Sequence, residues 1–267
     1  MERKGESFGV FLLCHHKADA KGPQGTLKVL PCHRPRCGYL ERAKGQGMRA
    51  LIIGSSGGIG GALVTRLRGQ GADVTGLSRR EEGLDITDEG SIALHLGRLS
   101  GPFDLVFVVT GALELGGRAP EKSLKSLDGP AMAAQFLLNA IGPALVLKHA
   151  VRLMPKDAPA RFAALSARVG SIGDNGLGGW NSYRAAKAAL NQFIHTGAIE
   201  VSRTHPQSIV VALHPGTVST PLTARYAGGH ATVTPDQAAA NLLSVLAALT
   251  PAQTGGFFDW QGKVIPW

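Results

Sequence analysis

The chain has 267 residues, 44% hydrophobic, 18% charged and 6% aromatic, a composition too apolar for a disordered polymer and long enough for one α/β domain or two small ones. Its 36 glycines run at about twice the usual frequency, which places them where backbone turns sharply or approaches something closely. Of the net charge of +9, residues 1–47 carry +5, from nine Lys or Arg against four acids, and the absence of a basic stripe interleaved with aromatics excludes a nucleic-acid partner.

Residues 1–47 show no sustained periodicity and are punctuated by Gly and Pro throughout. All three cysteines, Cys14, Cys32 and Cys37, lie there. Their spacing with His15 and His16 matches none of the usual zinc-ligand pairings, so no metal site is expected, and the core needs no disulfide. The segment reads as a basic, disordered extension ahead of a domain spanning residues 48–267. Val10–Cys14 is too short for a secretory signal, and no apolar run approaches the ~18 residues of a membrane span. A soluble, cytoplasmic protein with no membrane partner is expected.

From Met48 the pattern changes. Arg49–Ile53 is a short β-type run, followed by Gly54-Ser55-Ser56-Gly57-Gly58-Ile59-Gly60 and a helical pattern from Gly61 to Gly69. Further strand-like runs are Ala72–Leu77, Leu105–Val109, Arg161–Leu165, Ser208–Leu213 and Gly256–Trp260. Helical patterns around Ser91–Leu99, Ala131–Met154, Ser182–Arg203 and Pro235–Leu249 separate them. Strand alternating with helix through short loops predicts an α/β fold: one doubly wound Rossmann-type domain with helices on both faces of a mostly parallel sheet of about seven strands.

Strand, glycine-rich turn and helix together aim backbone amides and a helix N-terminus at phosphate. The spacing Gly54-x-x-x-Gly58-Ile59-Gly60 resembles the glycine motif of the short-chain dehydrogenase/reductase family, with Ile53 in place of the threonine usual before its first glycine. The resemblance implies cofactor contacts from Gly54, Ser56, Gly58, Ile59 and Gly60. It puts Ser78 at the position where an acid would bind the ribose of NAD, followed by Arg79 and Arg80. Two guanidiniums suit a 2′-phosphate, which points to NADP(H) rather than NAD(H). Asp85 and Ile86 resemble the family's adenine-edge contact.

Tyr183-Arg-Ala-Ala-Lys187 opens a strongly helical stretch, and a spacing of four puts phenol and ammonium on one helix face. A neighbouring cation favours phenolate, so a lowered tyrosine pKa is expected. Asn139, inside the long helical pattern, resembles the family's catalytic asparagine, which anchors a water in a proton relay through Lys187. His214-Pro215-Gly216-Thr217-Val218-Ser219-Thr220 resembles the segment beside the nicotinamide, implying contacts from Pro215, Gly216, Val218 and Thr220. Lys187 is implied to hold the ribose as well.

Two departures stand out. The family's Asn-Asn-Ala-Gly motif is here Val108-Val109-Thr110-Gly111, which keeps only Gly111. Where the family often carries two adjacent serines, the second catalytic, this chain has Ser166 followed by Ala167. Because consecutive strand residues face opposite ways, Ser166 serves only if the chain leaves strand geometry there. Ser166 is the first candidate, with Ser171 or no serine as alternatives.

The stretch Ser166–Asn175, Gly178–Tyr183 and the ending Phe257–Trp267 is similar to a subgroup holding carbonyl reductases and bacterial C-factor signalling proteins. The likeness covers residues 48–267. It implies an NADP(H)-dependent enzyme acting on a small-molecule aldehyde, ketone or alcohol through Tyr183, Lys187, Asn139 and a serine, assembled as a homodimer or homotetramer. A dinucleotide-binding signalling or sensor protein with little turnover is the alternative. A lid is expected near Leu222–Thr234, with Tyr226 and His230 toward the pocket.

Overall fold

The computed structural model describes residues 47–220, 226 and 231–267. The expectations for residues 1–46, the cysteines among them, and for Leu222 and His230 in the lid lie outside the described residues.

Each apolar run forms a strand: β1 (Arg49–Ile53), β2 (Asp73–Leu77), β3 (Leu105–Val108), β4 (Arg161–Leu165), β5 (Ile209–His214) and β6 (Phe257–Asp259). They make one sheet in the order β2-β1-β3-β4-β5-β6, with every pairing parallel. Among the described residues the sheet thus has six strands, where about seven were expected. Beyond β2 the chain turns back on itself, Leu84 N donating to Ser78 O at 3.0 Å. Asp85 N then donates to the Ser91 hydroxyl at 3.0 Å, so a side chain takes the amide that a further edge strand would have offered to its neighbour.

Apart from the edge strand β2, the strands are largely buried on both faces, yet alternation still sorts their side chains. Leu51, Ile53, Val106, Val108, Phe162, Ala164, Val210 and Ala212 pack in one core cluster. Helices α2 (Glu89–Gly97), α4 (Gly142–Ala150) and α5 (Asn181–Ser202) cover it. Ala50, Ile52, Leu105, Phe107, Ala163, Leu165, Val211 and Leu213 pack on the other side, beneath α1 (Gly58–Gly69) and α6 (Pro235–Ala248). The chain winds outward from β1 to β2 and then returns across β1 to β3. That reversal opens a crevice at the carboxyl ends of β1 and β3, where the glycine-rich turn stands.

The long helical pattern is one run of changing pitch: α3 (Gly129–Phe136), a π-helical turn Leu137–Ile141, α4, and a 3₁₀ turn Val151–Leu153. Gly142 allows it to lie close beneath the 85–86 segment, since a Cβ there would stand 2.5 Å from Ile86 O. One expectation is corrected here. Gly129–Leu153, 25 residues, is long and apolar enough by length and composition to cross a membrane. The strictly apolar runs are short because Gln135, Asn139 and Gly142 interrupt them, although the average over the helix is apolar. In the structure Ala140, Val146, Leu147 and Ala150 from this run are buried in the sheet's core.

Gly60 shows how tightly α1 meets the turn before it: a Cβ there would lie 2.1 Å from Gly54 O. Gly60→Ala should therefore lower the thermal midpoint by roughly 5 °C or more. Gly69→Ala, where a Cβ meets nothing within 4 Å, should stay within about 2 °C of wild type. Differential scanning calorimetry on the pair checks this, and equal midpoints would contradict the close approach.

Candidate active site

The glycine-rich turn leaves β1 through Gly54, whose φ of +93° suits a residue without a Cβ. Gly54 N and Ser55 N both donate to Leu77 O, at 2.7 and 3.3 Å, which ties the turn to the end of β2. Gly57 caps α1 without any side-chain hydrogen bond, and no acid lies in the first turn. The orphan amides and positive dipole end of α1 are therefore suited to an anion. Ser56, Gly58 and Ile59 lie at this turn, and Thr220 comes up against it, its Cγ2 standing 3.1 Å from where a Gly58 Cβ would be.

At the end of β2, Ser78 is buried and donates both its amide and its hydroxyl to Glu82, at 2.6 and 2.9 Å. Arg79 and Arg80 are both exposed and, among the described residues, form no ion pair. Asp85 accepts from Thr87 N and Oγ1 at 2.9 and 2.7 Å. These hydrogen bonds, against a burial penalty and helped by Arg79, hold its carboxyl below the usual range. At the end of β5, Gly216 (φ +78°) lies so close to Trp260 that a Cβ would stand 2.9 Å from the indole Cδ1. After Pro215 and Gly216 the chain bridges Val233, Ser219 N donating to Val233 O at 2.8 Å, with Val218 buried between. A cradle that a Cβ would fill, an uncapped helix end and two unpaired guanidiniums at one crevice fit a phosphorylated dinucleotide. The orphaned buried hydroxyls of Ser55 and Thr110 flank the same crevice.

Beside this crevice α5 carries Tyr183 and Lys187. The ammonium sits 5.8 Å from the Tyr183 ring centroid and donates to Leu165 O at 2.9 Å from a buried position. Asn139, fully buried in the π turn, clasps the backbone after β3: Ala112 N donates to its Oδ1 at 3.2 Å and its Nδ2 donates to Ala112 O at 2.9 Å. Gly111 lies between the two groups, since a Cβ there would stand 3.0 Å from Asn139 Oδ1 and 3.4 Å from Lys187 Nζ. Four of the residues singled out in the sequence, Tyr183, Lys187, Asn139 and Gly111, thus come together.

Ser166 does not join them. β4 ends at Leu165, with Ser166 just beyond it and Ala167 still extended (φ −143°, ψ 142°) before the turn Arg168–Gly170. The Ser166 hydroxyl donates to Asn191 Oδ1 at 2.6 Å, and Asn191 is eight residues along α5 from Tyr183, roughly 12 Å of helix rise. The Ser171 hydroxyl accepts from Asp174 N at 3.1 Å. Neither serine is bonded to Tyr183.

The expected lowering of the tyrosine pKa is also corrected. Burial pushes the Tyr183 phenol up to about 12 and the Lys187 ammonium down to about 7. The cation is near enough to act, but desolvation penalises both charged forms and prevails.

A small cavity opens beside Tyr183, lined by Leu113, Leu115, Arg118, Glu121 and Gln135 among others. Sequence reasoning missed Gln135, which donates to Leu113 O at 2.9 Å and accepts from Asn139 Nδ2 at 2.6 Å. A glutamine one helical turn before the asparagine was the available signal. It also missed Glu121, whose link to Ser182 spans 61 residues and leaves no local trace. Tyr226 donates to Glu114 and meets Trp180 edge to face at 5.6 Å.

The profile of the short chain dehydrogenase family matches residues 85–229. The 1-hydroxy-2-glutathionyl-2-methyl-3-butene dehydrogenase of Rhodococcus sp. (strain AD45) is 33% identical over 233 residues, covering 81% of this chain and 98% of its own. The C-signal of Myxococcus xanthus is 34% identical over 146 residues, covering 54% of this chain and 84% of its own. Among solved structures, an NADPH-bound carbonyl reductase from chicken fatty liver superposes with a TM-score of 0.69 at 22% identity, covering 87% of this chain and 97% of its own.

The Lys187 shift has a consequence for stability. Between pH 7 and 10.5 the unfolded chain retains a Lys187 proton that the folded protein has lost, so stability attributable to this group rises with pH across that window. Urea unfolding at pH 7 and pH 9.5 should show wild type gaining on Lys187→Met as the pH rises. Parallel pH dependence in the two proteins would contradict the shift.

Proposed function

The chain belongs to the short-chain dehydrogenase family, and from that premise we propose that it is an NADP(H)-dependent oxidoreductase interconverting a small-molecule aldehyde or ketone and its alcohol. The observation that carries this reading is the approach of Lys187 and Asn139 to Gly111, with Tyr183 beside Lys187, next to a glycine cradle and an uncapped helix end. Support for the carbonyl/alcohol couple comes from the Rhodococcus relative, named as the dehydrogenase of a hydroxy compound, and from the superposed carbonyl reductase. Support for NADP(H) comes from the NADPH bound in that reductase and from Arg79 and Arg80.

The turn from Gly54 to Gly60, with Ser56, Gly58, Ile59 and α1, would hold the pyrophosphate. Arg79 and Arg80, beside Ser78, would hold the 2′-phosphate, Asp85 and Ile86 the adenine edge, and Gly111 and Lys187 the ribose. Pro215, Gly216, Val218 and Thr220 would lie along the nicotinamide end. When bound, the cofactor supplies or accepts the hydride. With its pKa raised to about 12, Tyr183 keeps its proton at neutral pH and stands ready to donate it to the oxygen of a carbonyl being reduced. Lys187, held on Leu165 O, and Asn139, clasping Ala112, fix the floor on which that oxygen sits. The Ser166 hydroxyl, engaged by Asn191, positions β4 against α5 and does not polarise the carbonyl. No serine bonded to Tyr183 is also the observation that favours the second reading, a dinucleotide-binding signalling protein with little turnover.

We read the enzyme as cytoplasmic and as a homodimer or homotetramer. Exposed Leu137, Ile141, Phe193 and Ile199 on the long helical run and α5 supply the apolar surface such an assembly would bury.

NADPH oxidation assayed against aldehydes, ketones and quinones tests the reading. Tyr183→Phe should lose about a hundredfold or more in kcat, whereas Ser166→Ala should keep most of its activity. Tight NADPH binding without turnover in wild type would favour the signalling protein. Replacing Arg79 and Arg80 together by Ala should weaken NADPH about tenfold or more while sparing NADH. Equal losses for the two nucleotides, measured by fluorescence titration, would refute the assignment of these arginines.

A further inference from the structure

The helix that carries Tyr183 is not capped by its own sequence. Helices α2, α3 and α6 begin at Asp88, Asp128 and Thr234, each of whose side chains accepts from a first-turn amide. At α5 the cap position is Trp180, which has no oxygen to offer and sits in the left-handed region (φ 51°, ψ 41°). Among the described residues it is the only non-glycine with positive φ, and Gly178 and Gly179 before it share that hand. A bulky aromatic holds such a conformation only where its surroundings impose it.

What imposes it is Glu121, from the loop that walls the cavity beside Tyr183. Trp180 N donates to the Glu121 backbone carbonyl at 2.6 Å. The Glu121 carboxylate accepts from Ser182 N at 3.3 Å and, through its other oxygen, from the Ser182 hydroxyl. Ser182 is the second residue of α5, the place where an N-cap oxygen ordinarily bonds, and a carboxylate there also meets the positive end of the helix dipole. Burial works to raise the Glu121 carboxyl, but the bonds from Ser182 and the backbone outweigh it and leave it below the usual range. The loop's other end is held by Gln135, on Leu113 O, and Gln135 in turn accepts from Asn139. The wall of the cavity is thus fastened at one end to Asn139 and at the other to the turn that presents Tyr183.

We propose that Glu121 is a positioning residue for Tyr183, capping the catalytic helix from the pocket loop and so setting where the phenol stands in the cavity. The inference rests on the reading of Tyr183 as the proton donor, and its test has an arm that needs no turnover. In the first arm, Glu121→Ala should lower kcat at least tenfold with the NADPH dissociation constant within twofold of wild type. Glu121→Gln, which keeps an oxygen acceptor for Ser182, should return kcat to within threefold of wild type. In the second arm, ¹³Cζ-tyrosine NMR follows the Tyr183 phenol through a pH titration. Glu121→Ala should admit water at the helix start and bring the titration down from about 12 toward the ordinary value, and Glu121→Gln should not.

Should Glu121→Ala not fold, Ser182→Ala removes the hydroxyl half of the cap and is read in the same two arms, with smaller shifts of the same sign. A folded Glu121→Ala with wild-type kcat and an unmoved Tyr183 titration overturns the proposal, as does a Glu121→Gln protein that fails as badly as the alanine variant. If wild type turns over no carbonyl, the reading of the reaction has failed. The NMR arm then still decides whether Glu121 sets the place of Tyr183.

Discussion

The Lys187 ammonium, buried and resting on the Leu165 carbonyl at 2.9 Å, is the constraint around which the rest of the site is arranged. A cation in the interior is tolerated only where it has acceptors and where close packing keeps it in register with them. Gly170 provides some of that packing: a Cβ there would stand 2.7 Å from the Lys187 Cβ, so the turn after β4 lies directly on the lysine's stem. Gly111 provides more, bare of side chain where Lys187 Nζ and Asn139 Oδ1 approach it. The buried pair Ser166 and Asn191 bolts the end of β4 to α5 one turn beyond the lysine. The Ser166 hydroxyl is thereby spent on Asn191, beside the carbonyl that holds the lysine.

Asn139 makes the matching demand on the other side of the crevice. Asparagine is a poor residue for a helix interior because its amide competes for backbone partners. Here the competition is resolved by a π turn at Leu137–Ile141, which widens the helix where that side chain reaches out to clasp Ala112. Such bulges collect at functional sites because they re-aim a side chain at the cost of a helical bond. Asn139 and Gln135, a turn apart, then order the loop from Leu113 to Glu121, which walls the cavity beside Tyr183.

Legibility in the sequence followed the range of the interaction. The apolar runs 49–53, 105–109 and 161–165 are strands because short buried segments declare themselves locally, and Tyr183 and Lys187 share a helix face because four residues make about one turn. The glycine turn was readable for the same reason, its glycines falling within seven residues, although its tie to Leu77 O was not. The edge of the sheet was not, because Asp85 gives its amide to a hydroxyl six residues on, a choice that hydrophobic pattern does not encode. The π turn was hidden because one extra residue per turn hardly disturbs a helical pattern. The destination of the Ser166 hydroxyl and the cap on α5 depend on partners 25 and 61 residues away, which only the folded chain brings near.

The titration of Tyr183 and Lys187 shows why proximity alone misleads. An ammonium near a phenol argues for a lowered tyrosine pKa, and in water-exposed geometry that argument would hold. In this site Lys187 is buried and Tyr183 half-buried, and burial drives each toward its uncharged form, the phenol up to about 12 and the amine down to about 7. An amine that titrates near neutrality is a weaker electrostatic partner for a phenolate than a permanent cation, since for part of the time it carries no charge. A phenol raised to about 12 keeps its proton at neutral pH and offers a donor rather than a charge to whatever enters the cavity beside it. Burial, more than proximity, therefore decides which protonation state each group holds in the unliganded site, through the same desolvation that the lysine's mounting maintains.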